Sequence, residues 1–176
     1  MAFDAFCFSK SQPKDMEGET QDEDYKKLNA FEILSFELGA ENTINIGSIT
    51  GGGGAGKATF KEFTVTKKTD AASTSLFNAL VTGTHYEEVC VELRRSGAAN
   101  KTVRSGGVFM RFDMRLVMVQ DISWSGSDGD DVCEETLIFQ FGAIEITYVP
   151  QDSKGKDLEK KVTRWSRVKN TNTILV

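Results

Sequence analysis

From Phe60 to Gly97 the apolar positions change period twice. Phe63 and Val65 alternate with Thr64 and Thr66, the two-residue period of a strand with one buried face. Asp70 and Ser73 supply side-chain oxygens of the kind that cap a helix start. Leu76, Phe77 and Leu80 gather on one helical face, and Gly83 offers the left-handed residue that closes a helix. Val89, Val91 and Leu93 then alternate with Glu88, Cys90, Glu92 and Arg94. The spacing predicts a strand, a short helix over about residues 74–82, and a second strand.

Elsewhere the patterning is that of strands. Residues 3–8 and 31–38 read as strands separated by a polar, acidic loop at 10–27, and residues 40–58 as a long glycine-rich loop. Residues 98–105 form a turn. In 107–120 one face carries Val108, Met110, Phe112, Met114, Leu116 and Met118, against Arg111, Asp113 and Arg115 on the other. That second face becomes apolar at Val117 and Val119, which suggests a subunit contact. After a turn-rich loop at 123–133, a last long strand changes phase: Leu137, Phe139 and Phe141 are odd-numbered, Ile144, Ile146 and Tyr148 even. A strand pattern slips by one only where a residue is added, so a β-bulge is predicted at Gly142 or Ala143. Pro150 ends the strand, and Trp165, Ile174 and Leu175 are candidates for a final one.

The order of residues is more specific than the pattern. The run FTVTKKTDAASTSLFNALVTGTHYEEVCVELRRSG resembles the haemolysin-coregulated protein (Hcp) family, which builds the inner tube of type VI secretion systems. Phe63, Lys67, Asp70, Ser73, Leu76, Ala79, Gly83 and His85 fall on the motif. Glu134–Gln151, the opening MAFDAF and the phrase EILSFELG at Glu32–Gly39 resemble further family positions. Thr74 departs from the proline usual after the capping serine, which weakens a helix start placed there.

The resemblance implies a mainly β fold: a β-barrel of two antiparallel sheets with one short flanking helix, as a single tube-subunit domain over 1–176. It implies six-membered rings stacked head to tail, driven with a spike by a contractile sheath, and effector proteins in the channel. It places an inter-ring contact at Gly51, Gly52, Gly53, Gly54, Ala55, Gly56 and Lys57, where Lys57 and Lys61 would meet acidic residues. It implies a protein made in the bacterial cytoplasm and exported by its own machine. The alternative is a tube subunit of a related contractile, phage-type injection system.

Bulk properties narrow the classes. The chain has 176 residues, 21 basic and 26 acidic, for a net charge of −5, with no clustered basic surface to suggest nucleic acid. No apolar run approaches the ~20 residues of a membrane span. The opening residues lack the basic start of a signal peptide and carry Asp4 early. Three cysteines, Cys7, Cys90 and Cys133, without metal-like spacing, read as free thiols.

Candidate chemistry is thin. Gly51–Lys57 has the spacing of a phosphate-binding loop, but Ala58 occupies the required hydroxyl position and no helix pattern follows. His85 is the only histidine. Cys90 shares a face with Glu88 and Glu92, which would raise its pKa. The acidic groups Asp128, Asp130, Asp131, Glu134, Glu135 and Glu19, Asp22, Glu23, Asp24 lack calcium-loop spacing and read as solvated loops. No catalytic, cofactor or metal site is expected.

Overall fold

The computed structural model describes residues 3–45, 54–95 and 107–176. The strands are β1 (Phe3–Phe8), β2 (Phe31–Glu32), β3 (Ser35–Glu37), β4 (Ala40–Asn45), β5 (Gly54–Phe60), β6 (Phe63–Lys68), β7 (His85–Arg95), β8 (Val108–Ser125), β9 (Glu134–Tyr148) and β10 (Lys161–Ser166). The helix α1 spans Ala71–Thr82, and two short 3₁₀ turns sit at Pro13–Met16 and Lys26–Leu28. The fold is mainly β with one helix, as expected. The predicted turn at 98–105 lies outside the described residues, apart from which the strand-helix-strand reading stands.

One curled antiparallel sheet runs β2-β1-β7-β8-β9-β6-β3, with β10 added to β9, and β4–β5 form a small second sheet. The curl closes on residues 31–37. Their first part pairs with β1, and the Ile33 amide donates to the Ala5 carbonyl at 3.0 Å. One residue later the Leu34 amide donates to Thr66 on β6 at 2.7 Å, and β3 continues along that strand. The sheet's two ends are therefore one run of chain, which is why the predicted strand 31–38 is broken in two. The enclosed core holds Cys7, Phe31, Phe63, Val65, Leu76, Val89, Val91, Met114, Val117, Leu137 and Phe139.

The helix starts three residues earlier than the apolar spacing suggests. Asp70 is the N-cap, accepting from the Ala72 amide at 3.0 Å, while Ser73 reciprocates from the Asp70 amide at 3.0 Å. This capping box satisfies donors that helix geometry leaves free. Gly83 closes the helix at φ +68°, where a Cβ would be strained. With the start at Ala71, Thr74 is the fourth helical residue, so the missing proline does not weaken the first turn. Leu76 is buried, but Phe77 is half exposed and lies against Trp124, ring centroids 5.8 Å apart.

The phase change in β9 is real, but it is not a bulge in one strand. Core residues run Leu137, Phe139, Phe141 and then Ile144; opposite them β8 runs Val119, Val117 and then Met114. Both strands skip a step at the same level, so Met114↔Ile144 and Val117↔Phe141 share one register. Leu116, at φ +50°, provides the twist in β8. Leu116 and Met118, expected on the core face, are consequently exposed while Val117 and Val119 are buried. The true register shift in this pair lies between Val119 and Asp121.

Candidate assembly surfaces

The expected loop at 40–58 is mostly a hairpin arm. β4 and β5 pair from Ala40↔Phe60 to Asn45↔Gly54, and Gly54, Ala55, Gly56 and Lys57 lie on β5; Gly51, Gly52 and Gly53 fall outside the described residues. The register shifts between Asn42 and Ile44, where Thr43 alone on β4 faces two residues of β5, which places an irregularity at Gly56–Lys57. Glycine in a strand commonly marks such a bulge. The arm pairs with no other strand among the described residues, and Glu41, Asn42, Lys57 and Thr59 are exposed. A two-stranded ribbon of this kind is marginal in water.

The arm is anchored at its base. Phe60 meets Phe141 edge-on at 6.2 Å, and the Arg167 guanidinium sits over both rings at 6.0 and 5.2 Å. The Lys61 amide donates to the Gly39 carbonyl at 2.9 Å. β5 leads into strand β6 and not into a helix, so Lys57 lacks the strand-loop-helix setting of a phosphate loop.

His85 is exposed at the start of β7, opposite Met118. Cys7 and Cys90 are buried and Cys133 is exposed, none in a disulfide. Burial pushes the Cys90 thiol well up, and Asp113, whose Oδ1 accepts from it at 3.0 Å, pushes the same way. Such a thiol is a poor nucleophile. Burial alone raises the Asp113 carboxyl, but the hydrogen bonds from Arg111 and Cys90 outweigh it and hold the group below its ordinary value. Glu88, Cys90 and Asp113 bring three ligand-type atoms within 4.8 Å of one another. Arg111 already bonds Asp113, Arg115 lies 2.8 Å from Glu88, and Lys10 stands 3.8 Å from Glu88 and 4.0 Å from Asp113. The cluster is a neutralised cross-strand network, and these cations occupy the space a metal ion's charge would take. Its signal in the sequence was the acidic face of β7 set against the basic face of β8.

Glu135, grouped with the acidic loop by sequence, is a core residue. It is buried beside Lys67, while Asp128, Asp130, Asp131 and Glu134 remain exposed. Lys67, Ser73 and Glu135, with the half-buried Asp70, thus form one cluster at the head of α1.

Residues 10–148 match the protein family described as "Type VI secretion system effector, Hcp". The chain belongs to the Hcp family. Among curated proteins, Hcp1 of Pseudomonas aeruginosa is 26% identical over 99 residues, 56% of this chain and 58% of that protein. The match thus spans little over half the length of that Hcp relative. Among solved structures, a type six secretion system protein superposes with a TM-score of 0.85 at 29% identity, covering 98% of this chain and 100% of the other. Hcp1 from Salmonella typhimurium gives 0.74 at 21% identity over 98% of this chain and 100% of that one, a likeness of fold. The Hcp motif residues Lys67, Asp70 and Ser73 are those of this cluster, so the part of the sequence that carries the family resemblance is the part that fixes the helix to the sheet.

Proposed function

We propose that this Hcp-family chain is, over 1–176, one structural subunit of a type VI secretion inner tube. Six copies close into a ring by a heterologous contact, and rings stack into a tube. The sheath and spike proteins are its partners, effector proteins travel in its channel, and it leaves the bacterial cytoplasm through the machine it helps to build. Its work is assembly and passage, with no bond made or broken. The observation that best supports this is the β4–β5 arm, an anchored hairpin that exposes Glu41, Asn42, Lys57 and Thr59 and pairs with no other strand among the described residues. Gly54, Ala55, Gly56 and Lys57 on it, with Gly51, Gly52 and Gly53, are the proposed inter-ring contact.

Light scattering after size exclusion tests the ring: a mass of about six times the 19.4 kDa chain supports it, and a monomer at every concentration counts against it. Deleting Gly51–Lys57 should leave that mass unchanged and abolish secretion. The fold-level likeness to an anti-feeding prophage baseplate chain, TM-score 0.50 at 9% identity, keeps a phage-type tail tube as the second reading. Neighbouring genes for a type VI sheath and spike would decide between them.

A further inference from the structure

The two ends of the long β8–β9 ladder differ in charge. At one end, from the Ser125↔Glu134 pair outward, residues 126–134 carry Asp128, Asp130, Asp131 and Glu134 and no basic residue. All four are exposed, and none is in an ion pair among the described residues; Asp130 accepts only the Ser127 amide, at 2.8 Å. At the other end, about 45 Å of strand away, Met110↔Tyr148 leads into the β9–β10 connection. There Lys154, Lys156 and Lys160 are exposed and without an ion pair among the described residues. Two of the three acids of that connection are in ion pairs, and the third, Asp152, is bonded by backbone amides alone. Asp152 accepts the Lys154 and Lys156 amides at 2.8 and 2.9 Å, Asp157 lies 3.8 Å from Arg95, and Glu159 lies 3.7 Å from Lys161.

Resting on the tube-subunit reading, we propose that the acidic connection 126–134 of one copy docks against the lysine-bearing connection 150–160 of the copy stacked on it. Charge complementarity then favours one orientation, because head-to-head contact would set Asp128 and Asp131 against their own counterparts. The arm supplies reach; the charged ends supply polarity.

The test turns on a sign. With a net charge of −5 per chain, rings without this contact repel each other at low salt, and salt relaxes the repulsion. Complementary ends instead attract at low salt, and salt weakens the attraction. Concentration-dependent light scattering of the purified full chain at about 10 mM and about 150 mM salt spans screening lengths of about 30 to about 8 Å. The expected result is ring–ring attraction that salt removes. Asp128→Lys with Asp131→Lys should lower ring–ring association about tenfold or more, the effect of like charges placed face to face. Adding Lys154→Glu and Lys156→Glu should restore it. Low-salt repulsion in the native protein, or no restoration in the fourfold variant, overturns the proposal while leaving the ring reading intact. Loss of ring mass in the first variant overturns it too, since the contact would then lie within a ring. A native monomer at every salt defeats the tube reading, and this inference with it.

Discussion

The Lys67 ammonium lies 2.8 Å from Glu135 Oε1 with both side chains completely buried. The three ammonium protons are spent elsewhere, on the Lys68 carbonyl at 2.8 Å, Asp70 Oδ1 at 2.7 Å and Ser73 Oγ at 3.1 Å. Glu135 Oε1 is therefore charge-paired without receiving a hydrogen bond, and the carboxylate's donors, Trp124 Nε1 at 2.7 Å and Thr69 Oγ1 at 3.2 Å, both reach Oε2. The cluster joins the head of α1 to β6, β8 and β9.

Breaking one side of this pair should cost far more than removing both. Lys67→Met strands Glu135 in the core and should lower stability by about 3–5 kcal/mol, a large part of the roughly 5–15 kcal/mol typical of a domain. Glu135→Gln should cost less, because Asp70 remains as a counterion. Lys67→Met combined with Glu135→Gln should cost less than the sum of the two single changes, read as urea midpoints in a double-mutant cycle. Strict additivity would mean that the two charges do not support each other.

Gly142 faces the twist in β8. A Cβ there would stand 3.1 Å from Leu116 Cβ and 3.0 Å from Val176 Cγ1. Gly142→Ala should destabilise by about 1–3 kcal/mol, the usual range for overpacking. Leu116→Gly, which removes both the opposing side chain and a bulky residue at φ +50°, should recover at least half of that loss. Melting curves of the single and double variants check it; no recovery would place the strain at Val176 instead.

These two sites also mark what the sequence could show. The strand-helix-strand unit was legible because its changes of period are local. The capping oxygens of Asp70 and Ser73 were legible too, though the apolar run led to a start three residues late. Lys67 continues the core-facing alternation of Phe63 and Val65, yet its counterion Glu135 is remote in sequence, and nothing local says that a loop-like acidic run ends inside the core. The phase slip at Gly142 was visible in β9, but single-strand logic supplied a bulge; the matching slip at Leu116 is a property of the pair. The β4–β5 arm was missed as structure because it has no apolar stripe to betray its strands.

The three thiols should react in two classes. Cys133 is exposed, while Cys7 and Cys90 are buried and burial pushes both thiols up, further reducing their thiolate. An aromatic disulfide reagent at pH 8 should modify one thiol per chain promptly and the other two only on unfolding. Prompt reaction of a second thiol would show that the sheet around Cys7 or Cys90 opens readily.

Alkaline pH should destabilise the fold through Tyr25 and Tyr86. Burial first, then the charge of Asp15, pushes the Tyr86 hydroxyl up to about 12; its proton is donated to the Asp15 carbonyl at 3.0 Å. Burial first, then the hydrogen bond it donates to Glu92, pushes Tyr25 up as well. In the unfolded chain tyrosine ionises near 10. A raised value means that the folded state keeps its proton where the unfolded state has lost it. The stabilisation is full below about pH 10 and is lost as the pH rises from about 10 through 12. Phenolate absorbance should show delayed ionisation that coincides with loss of β-sheet circular dichroism. Tyr86→Phe removes one raised group and should make stability less steeply dependent on pH above about 10; an unchanged slope would mean that Tyr86 ionises without opposing the fold.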